Sequence, residues 1–308
     1  MKKILVAGMI LVFGVSAVSG QEIFRLSPNS INALAYDAQS DNAVAVVATV
    51  RIKQALGFDF VYALSFEPGS AGRRLAGPDP AYSLNYELLD TALQPPRILK
   101  SWLEGIYPDD FPTGMFPAGT RNTNIEHPFN LIVPAGSIVP AGTYSGTVTI
   151  ALYGAPAGTA PGLLENRVYS VSAVVPEYTE IGVVQVDAPF FSPSSSQTVD
   201  FGQLEEGDQE ALDLIVRSNV SYSVSVSSVN GSALLNIDPA EPTPIPYTLN
   251  ANGASVAMPA GLAVPIISAA PWTAGGEARY RLGLSIGIFD MVAAGEYTDT
   301  LTFTVSAN

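Results

Sequence analysis

Two stretches of this chain are near-copies of one another: Ala141-Gly-Thr-Tyr144-Ser-Gly-Thr147-Val-Thr149-Ile-Ala-Leu152 and Ala294-Gly-Glu-Tyr297-Thr-Asp-Thr300-Leu-Thr302-Phe-Thr-Val305. Each sets Ala-Gly before an alternating strand in which Tyr and Thr recur at the same offsets. A closing strand that occurs twice implies two related β domains in tandem. Two further markers keep the same order in both halves. Tyr82-Ser-Leu84-Asn85 is matched with Tyr247-Thr-Leu249-Asn250, and residues 61–66 (Val-Tyr-Ala-Leu-Ser-Phe) with residues 221–226 (Ser-Tyr-Ser-Val-Ser-Val).

The amino end reads as an export leader over residues 1–20. Lys2 and Lys3 precede an apolar run, and Ala17, Ser19 and Gly20 supply a small-residue cleavage site. The run is too short for a permanent span, so no stable membrane insertion is expected. Without a cysteine after it, a bacterial lipid anchor is excluded. The formal charge is −14, and loss of the two leader lysines takes it to −16. So acidic a chain is a poor partner for nucleic acid or anionic lipid.

Charged residues make up 14% of the chain, against the ~25% usual in soluble proteins. With 27 Gly and 24 Pro among abundant Val, Ser, Thr and Tyr, the profile is one of short strands and tight turns. No stretch beyond the leader has helical periodicity. The expected fold class is therefore all-β, with two tandem immunoglobulin-like sandwiches at residues 21–165 and 166–308. Expected strands include residues 24–27, 44–52 (apolar on nearly every residue, hence buried on both faces), 58–66, 81–88 and 144–153. In the second half they include residues 181–186, 198–201, 211–217, 221–227, 246–249, 279–288 and 297–305. Residues 167–175 either finish the first sandwich or open the second. There is no cysteine, so each domain is held by burial and not by disulfides.

Three segments resemble the spore coat protein U family, which includes archaic chaperone–usher pilus subunits. They are Val199-Asp-Phe201-Gly202, the run from Leu214 through Ser218-Asn219 and Tyr222 to Asn230-Gly231, and Ala294-Gly-Glu-Tyr297-Thr-Asp299-Thr300. In the first half, Arg74-Leu75, Leu84-Asn-Tyr86-Glu-Leu88 and Ala141-Gly-Thr-Tyr144 are similar to the same pattern. The first copy departs from it by carrying Gly146 where the family ending is acidic. The resemblance implies subunits whose sandwich lacks its last strand. A chaperone fills that gap first, and a neighbouring subunit's donor strand fills it later.

Only three residues follow Val305, fewer than the ~5–6 of a typical strand. The expectation is an open acceptor edge formed by Tyr297, Leu301, Phe303 and Val305, which another chain pairs by strand addition. The short segment before Phe24 suits a subunit that accepts a strand without lending one, as at a fibre tip. Alternatively, residues 22–36 are a donor segment presenting Ile23, Leu26, Ile31 and Leu34. The implied partners are a periplasmic chaperone, an outer-membrane usher and the next pilus subunit. The implied location is the periplasm in transit, then a surface fimbrium or the medium, with a role in attachment or biofilm formation. A free-standing secreted or coat-type structural protein is the alternative.

Catalytic chemistry has little to work with. The single histidine, His127, expected to be a surface or hydrogen-bonded residue, and the absence of cysteine preclude the usual zinc sites. No Gly-x-Ser-x-Gly elbow or phosphate-binding glycine loop occurs. No cofactor, metal or enzymatic activity is expected. By contrast, residues 105–117 crowd Ile106, Tyr107, Phe111, Met115 and Phe116 among Pro and Gly. Such a loop either folds back over a sandwich end or offers an apolar adhesion surface.

Overall fold

The computed structural model describes residues 23–27, 31, 33–38, 42–70, 72–93, 95–190, 196–241 and 243–308. The expected leader, residues 1–20, lies outside the described residues. The described residues are all-β. Among them no helix is long and apolar enough to cross a membrane.

The first half contains β1 (Phe24–Ser27), β2 (Leu34–Ala35), β3 (Asn42–Ile52), β4 (Phe60–Pro68), β5 (Arg74–Ala76), β6 (Ser83–Asn85) and β7 (Glu87–Asp90). It continues with β8 (Arg97–Ile98), β9 (Thr113–Phe116), β10 (Thr123–Val133), β11 (Gly142–Pro156) and β12 (Gly162–Val175). One sheet runs β1-β3-β10-β7-β8. The other runs β2-β12-β11-β4-β9, with β5 and β6 beside the start of β11. Only β2–β12 is parallel among these pairs. Tyr86 stands at the corner where the chain leaves β6 in one sheet for β7 in the other, a normal way to join packed sheets.

The second half contains β13 (Thr179–Gln185), β14 (Gln209–Ser218), β15 (Tyr222–Ser228), β16 (Ala233–Asn236) and β17 (Ile245–Ala251). After these come β18 (Ala254–Val256), β19 (Val264–Ala270), β20 (Ala278–Ile286), β21 (Tyr297–Thr298) and β22 (Leu301–Ala307). The larger sheet runs β13-β14-β20-β17-β16-β21, with β18 on β17. The smaller runs β19-β15-β22.

Several expectations change. β12 forms a ladder with nearly the whole of β11, so residues 167–175 belong to the first sandwich, and the boundary drawn between residues 165 and 166 falls inside a strand. β3 is not buried on both faces. Val46, Ala48, Val50 and Ile52 point into the core while Val47 is 41% exposed, because its sheet is covered on one side only. The proposed donor segment is built into the first domain. β1 pairs with β3, and Leu26, Ile31 and Leu34 are buried in the core. No strand forms at residues 198–201. Their counterpart after the first domain's opening strand, β2, has β12 to pair with, and the second sandwich has no such strand among the described residues.

The Ser218-Asn219 pair sits where the halves join. Asn219 Nδ2 donates to the Pro176 carbonyl at 2.8 Å, its Oδ1 accepts from Tyr178 N–H at 2.9 Å, and its own carbonyl accepts from Ala141 N–H at 3.0 Å. One buried asparagine thus ties the linker through its side chain, and the residue before β11 through its backbone carbonyl, to the second sandwich.

Candidate strand-acceptor site

The two near-copies occupy equivalent places. In the first sandwich Leu152 faces Leu64 and Gly154 faces Tyr62. In the second, Val305 faces Val224 and Ala307 faces Tyr222. Residue n of β11 therefore corresponds to residue n + 153 of β21–β22, the spacing already present in the sequence. Two of the three sequence markers fall in register. The third does not: Tyr247 corresponds to Tyr86, since β16–β17 pairs Leu234 with Ile245 as β5–β6 pairs Leu75 with Leu84.

The neighbours of these strands differ. β11 lies between β4 and β12, paired on both sides. β22 pairs only with β15, and its other edge has no strand partner among the described residues. Exposure follows. Tyr144, Val148, Ile150 and Leu152 are buried, at most 1% exposed. Their counterparts Tyr297, Leu301, Phe303 and Val305 are only half-buried, although they pack against the second core. Among the described residues the first core has 30 buried members and six partly buried ones, and the second has 11 and 20. The second core is the one left open.

Nothing on β22 blunts its free edge. From Leu301 to Ala307 it carries no charge and no proline, the usual devices against edge pairing. Outward positions hold Thr302, Thr304 and Ser306. Across the gap, β13 comes within 8 Å of β22, Cα to Cα, yet no ladder joins them. Two strand spacings of ~4.8 Å need about 10 Å. An inserted strand must part the walls slightly where they approach. Inside the groove Tyr222 and Tyr280 join hydroxyls at 2.8 Å across the sandwich, and burial pushes the Tyr222 pKa well up.

The apolar loop divides. Phe111 is 2% exposed and packs on Trp102, with ring centroids 4.8 Å apart. Phe116 is 1% exposed and stacks on Tyr62 at 5.3 Å. Neither can belong to a surface patch. Trp102 in turn stacks flat on Tyr153 at 3.8 Å, so the loop covers the outer face of β4 and β11. Its backbone is fixed there by Leu64 N–H to the Pro112 carbonyl and Phe66 N–H to the Lys100 carbonyl. Ala63 and Ser65, which face outward on β4, are consequently buried. Ile106 remains 69% exposed, Met115 50% and Tyr107 37%; Leu103, absent from the sequence reading, is 94% exposed. Its signal was its place beside Trp102 in a Pro/Gly-rich stretch.

His127 bonds Tyr62 Oη through Nε2 at 2.9 Å, and burial lowers its pKa against the opposing pull of Asp90. It serves the first core. Among the described residues no cluster of three His, Cys, Asp or Glu is placed to hold a metal.

No protein-family model and no curated protein matches this chain. Solved structures that resemble it include pilus proteins. One is a chain of the CsuC–CsuE chaperone–tip adhesion subunit pre-assembly complex from archaic chaperone–usher Csu pili of Acinetobacter baumannii. It shows 15% identity and a TM-score of 0.47, covering 91% of this chain and 99% of that one. A second is the CupB6 tip adhesin of Pseudomonas aeruginosa, at 12% identity and a TM-score of 0.42, covering 92% and 94%. A third is CfaE, the adhesive subunit of CFA/I fimbria of enterotoxigenic Escherichia coli, at 12% identity and 0.37, covering 92% and 81%. At these identities and scores the likeness decides nothing about function.

Proposed function

We propose that this chain is an exported fimbrial subunit of the tip-adhesin kind, whose second sandwich accepts a β-strand from another polypeptide. The observation that carries the reading is internal to the molecule. The same strand, repeated, is paired on both edges and buried in the first sandwich, but paired on one edge and half-buried in the second. A half-exposed apolar strand with an unblunted edge is a template for pairing, and a partner strand both completes the ladder and covers the core. A periplasmic chaperone would occupy the edge first, and a donor strand from the adjoining subunit would replace it at an outer-membrane usher. The first sandwich, closed by its own β12, is then free to make contact with a surface. Leu103, Ile106 and Tyr107 are the exposed apolar residues of its covering loop, and attachment or biofilm formation is the expected role.

The test is expression of the full chain with and without a periplasmic pilus chaperone. Stable co-purification, lost when Phe303 and Val305 are both changed to Asp, is the expected result. A soluble, protease-resistant monomer made without any partner would overturn the proposal and leave the free-standing structural protein.

A further inference from the structure

The break between β21 and β22 is built around one carboxylate. Asp299 Oδ2 accepts the hydroxyl of Ser228 at 2.5 Å and that of Tyr247 at 2.6 Å, while Oδ1 accepts the N–H of Thr300 at 2.7 Å and of Asn230 at 3.0 Å. Ser228, fully buried at the end of β15, also accepts the N–H groups of Gly231 and Ser232 at 2.7 and 3.0 Å. Asn230 Nδ2 reaches the Thr298 carbonyl at 3.0 Å. Ser228 belongs to the smaller sheet and Tyr247, on β17, to the larger. The node therefore joins both sheets to the start of the strand that has one free edge.

The first sandwich lacks this node at the same place. Pro68 faces Val148 as Ser228 faces Leu301, so Ser228 corresponds to Pro68, Asp299 to Gly146 and Tyr247 to Tyr86. Gly146 can carry no side chain, because a Cβ there would lie 2.7 Å from the Arg74 carbonyl oxygen. The Tyr86 hydroxyl donates to the Thr147 carbonyl, at 3.2 Å, and not to a carboxylate. There β11 runs unbroken and β12 holds its second edge. The carboxylate node is present in the sandwich whose closing strand has no such support.

Resting on the reading of β22 as an acceptor edge, we propose that Asp299, Ser228 and Tyr247 form a latch that holds the closing strand in register while the groove is empty. A strand paired on one side is prone to fray or slip, and a slip of one residue turns every apolar side chain to the wrong face. Hydroxyl-to-carboxylate bonds are among the stronger available for fixing it. Asp299 is thus a positioning residue that acts before the partner strand arrives.

The latch is tested with the full chain and with a closed version carrying a copy of its own residues 156–175, hairpin and β12, after Asn308. Asp299→Asn is made in both. In the open chain it lowers the melting temperature by ~4–8 °C and speeds amide exchange at Phe303 and Val305. In the closed chain the loss is less than a third as large. Tyr247→Phe, which keeps the ring and removes one bond, gives the same contrast on a smaller scale should Asp299→Asn fail to fold. Equal losses in both chains, or none in the open one, overturn the latch while leaving strand acceptance standing. If the appended strand fails to stabilise the unsubstituted chain, strand acceptance itself falls, and the latch with it.

Discussion

Tyr297 donates its hydroxyl proton to the Ala293 carbonyl, four residues upstream, at 2.9 Å, and Tyr144 does the same to Pro140 at the same distance. This is the tyrosine corner of immunoglobulin-like sandwiches, placed near the start of each of the two near-copy strands. Each bond fixes the angle at which the closing strand enters. Substitution of either Tyr by Phe removes one hydrogen bond and costs ~0.5–1.5 kcal/mol. Tyr144→Phe sits at the upper end, because Tyr144 is fully buried whereas Tyr297 is half-open to water that can replace the lost partner. Urea denaturation of the two single variants checks the order.

Truncation separates the two closing strands further. Ile150→Ala deletes a fully buried side chain and costs ~2–5 kcal/mol. Its counterpart Phe303→Ala would cost ~3–5 kcal/mol in a sealed core, but Phe303 is half-buried in the empty sandwich, so the isolated chain loses about half that or less. On the reading proposed above, capture of a partner strand should suffer more, because that strand would cover Phe303. The expected pattern is a melting temperature lowered by less than that of Ile150→Ala, with co-purification of a chaperone reduced at least tenfold. A large stability loss with intact co-purification would contradict it.

The period-two alternation of residues 144–152 and 297–305 made both closing strands legible, and the shared 153-residue spacing turned out to be the true structural register. Single-strand patterns carry no record of what lies above a sheet. Residues 44–52 are apolar at almost every position, yet Val47 stays exposed, as does Val168 on β12. Ala63 and Ser65 read as an outward face, yet Trp102 and Phe111 cover it. Tyr82 and Tyr86 are two similar tyrosines four residues apart. Only the pairing of Leu75 with Leu84 identifies Tyr86 as the partner of Tyr247. The Asp299 node was invisible for the same reason: Ser228 and Tyr247 are 71 and 52 residues away in sequence.

Asp213 gives the second sandwich an acid-sensitive seam. Its carboxylate, on β14, is almost wholly buried and accepts the Asp187 N–H at 2.8 Å, Arg281 Nε at 2.7 Å and Arg279 Nη1 at 3.5 Å. Burial pushes its pKa up, but the Asp187 N–H and the two arginines outweigh it and hold the pKa below the usual carboxylate range. A depressed folded-state pKa contributes stability that is complete above the unfolded pKa of ~3.9 and lost as pH falls through the folded value. Stability of the second half should therefore decline below about pH 4, and Asp213→Asn should flatten that decline while lowering stability at pH 7. Denaturant midpoints between pH 7 and pH 2 for the two chains measure both effects.

The covering loop separates a packing role from a contact role within a few residues. Phe111 and Trp102 seal the outer face of β4 and β11, with Tyr153 sandwiched flat against the indole. Phe111→Ser deletes a buried ring, exposes Ala63 and Ser65, and should cost ~3–5 kcal/mol, releasing the loop. Leu103 and Ile106 project from the same loop into solvent and touch none of that packing to any depth, being 94% and 69% exposed. Changing both to Ser should leave stability within about 0.5 kcal/mol, the range of surface substitutions. Exposed apolar side chains on a pinned backbone lose little entropy on contact, so they bind apolar material well for their area. With assembly intact, Leu103→Ser with Ile106→Ser should reduce retention of the fibre on hydrophobic surfaces severalfold and leave retention on hydrophilic glass unchanged. Equal retention of the double variant and the unsubstituted fibre on polystyrene would place surface contact elsewhere on the first sandwich.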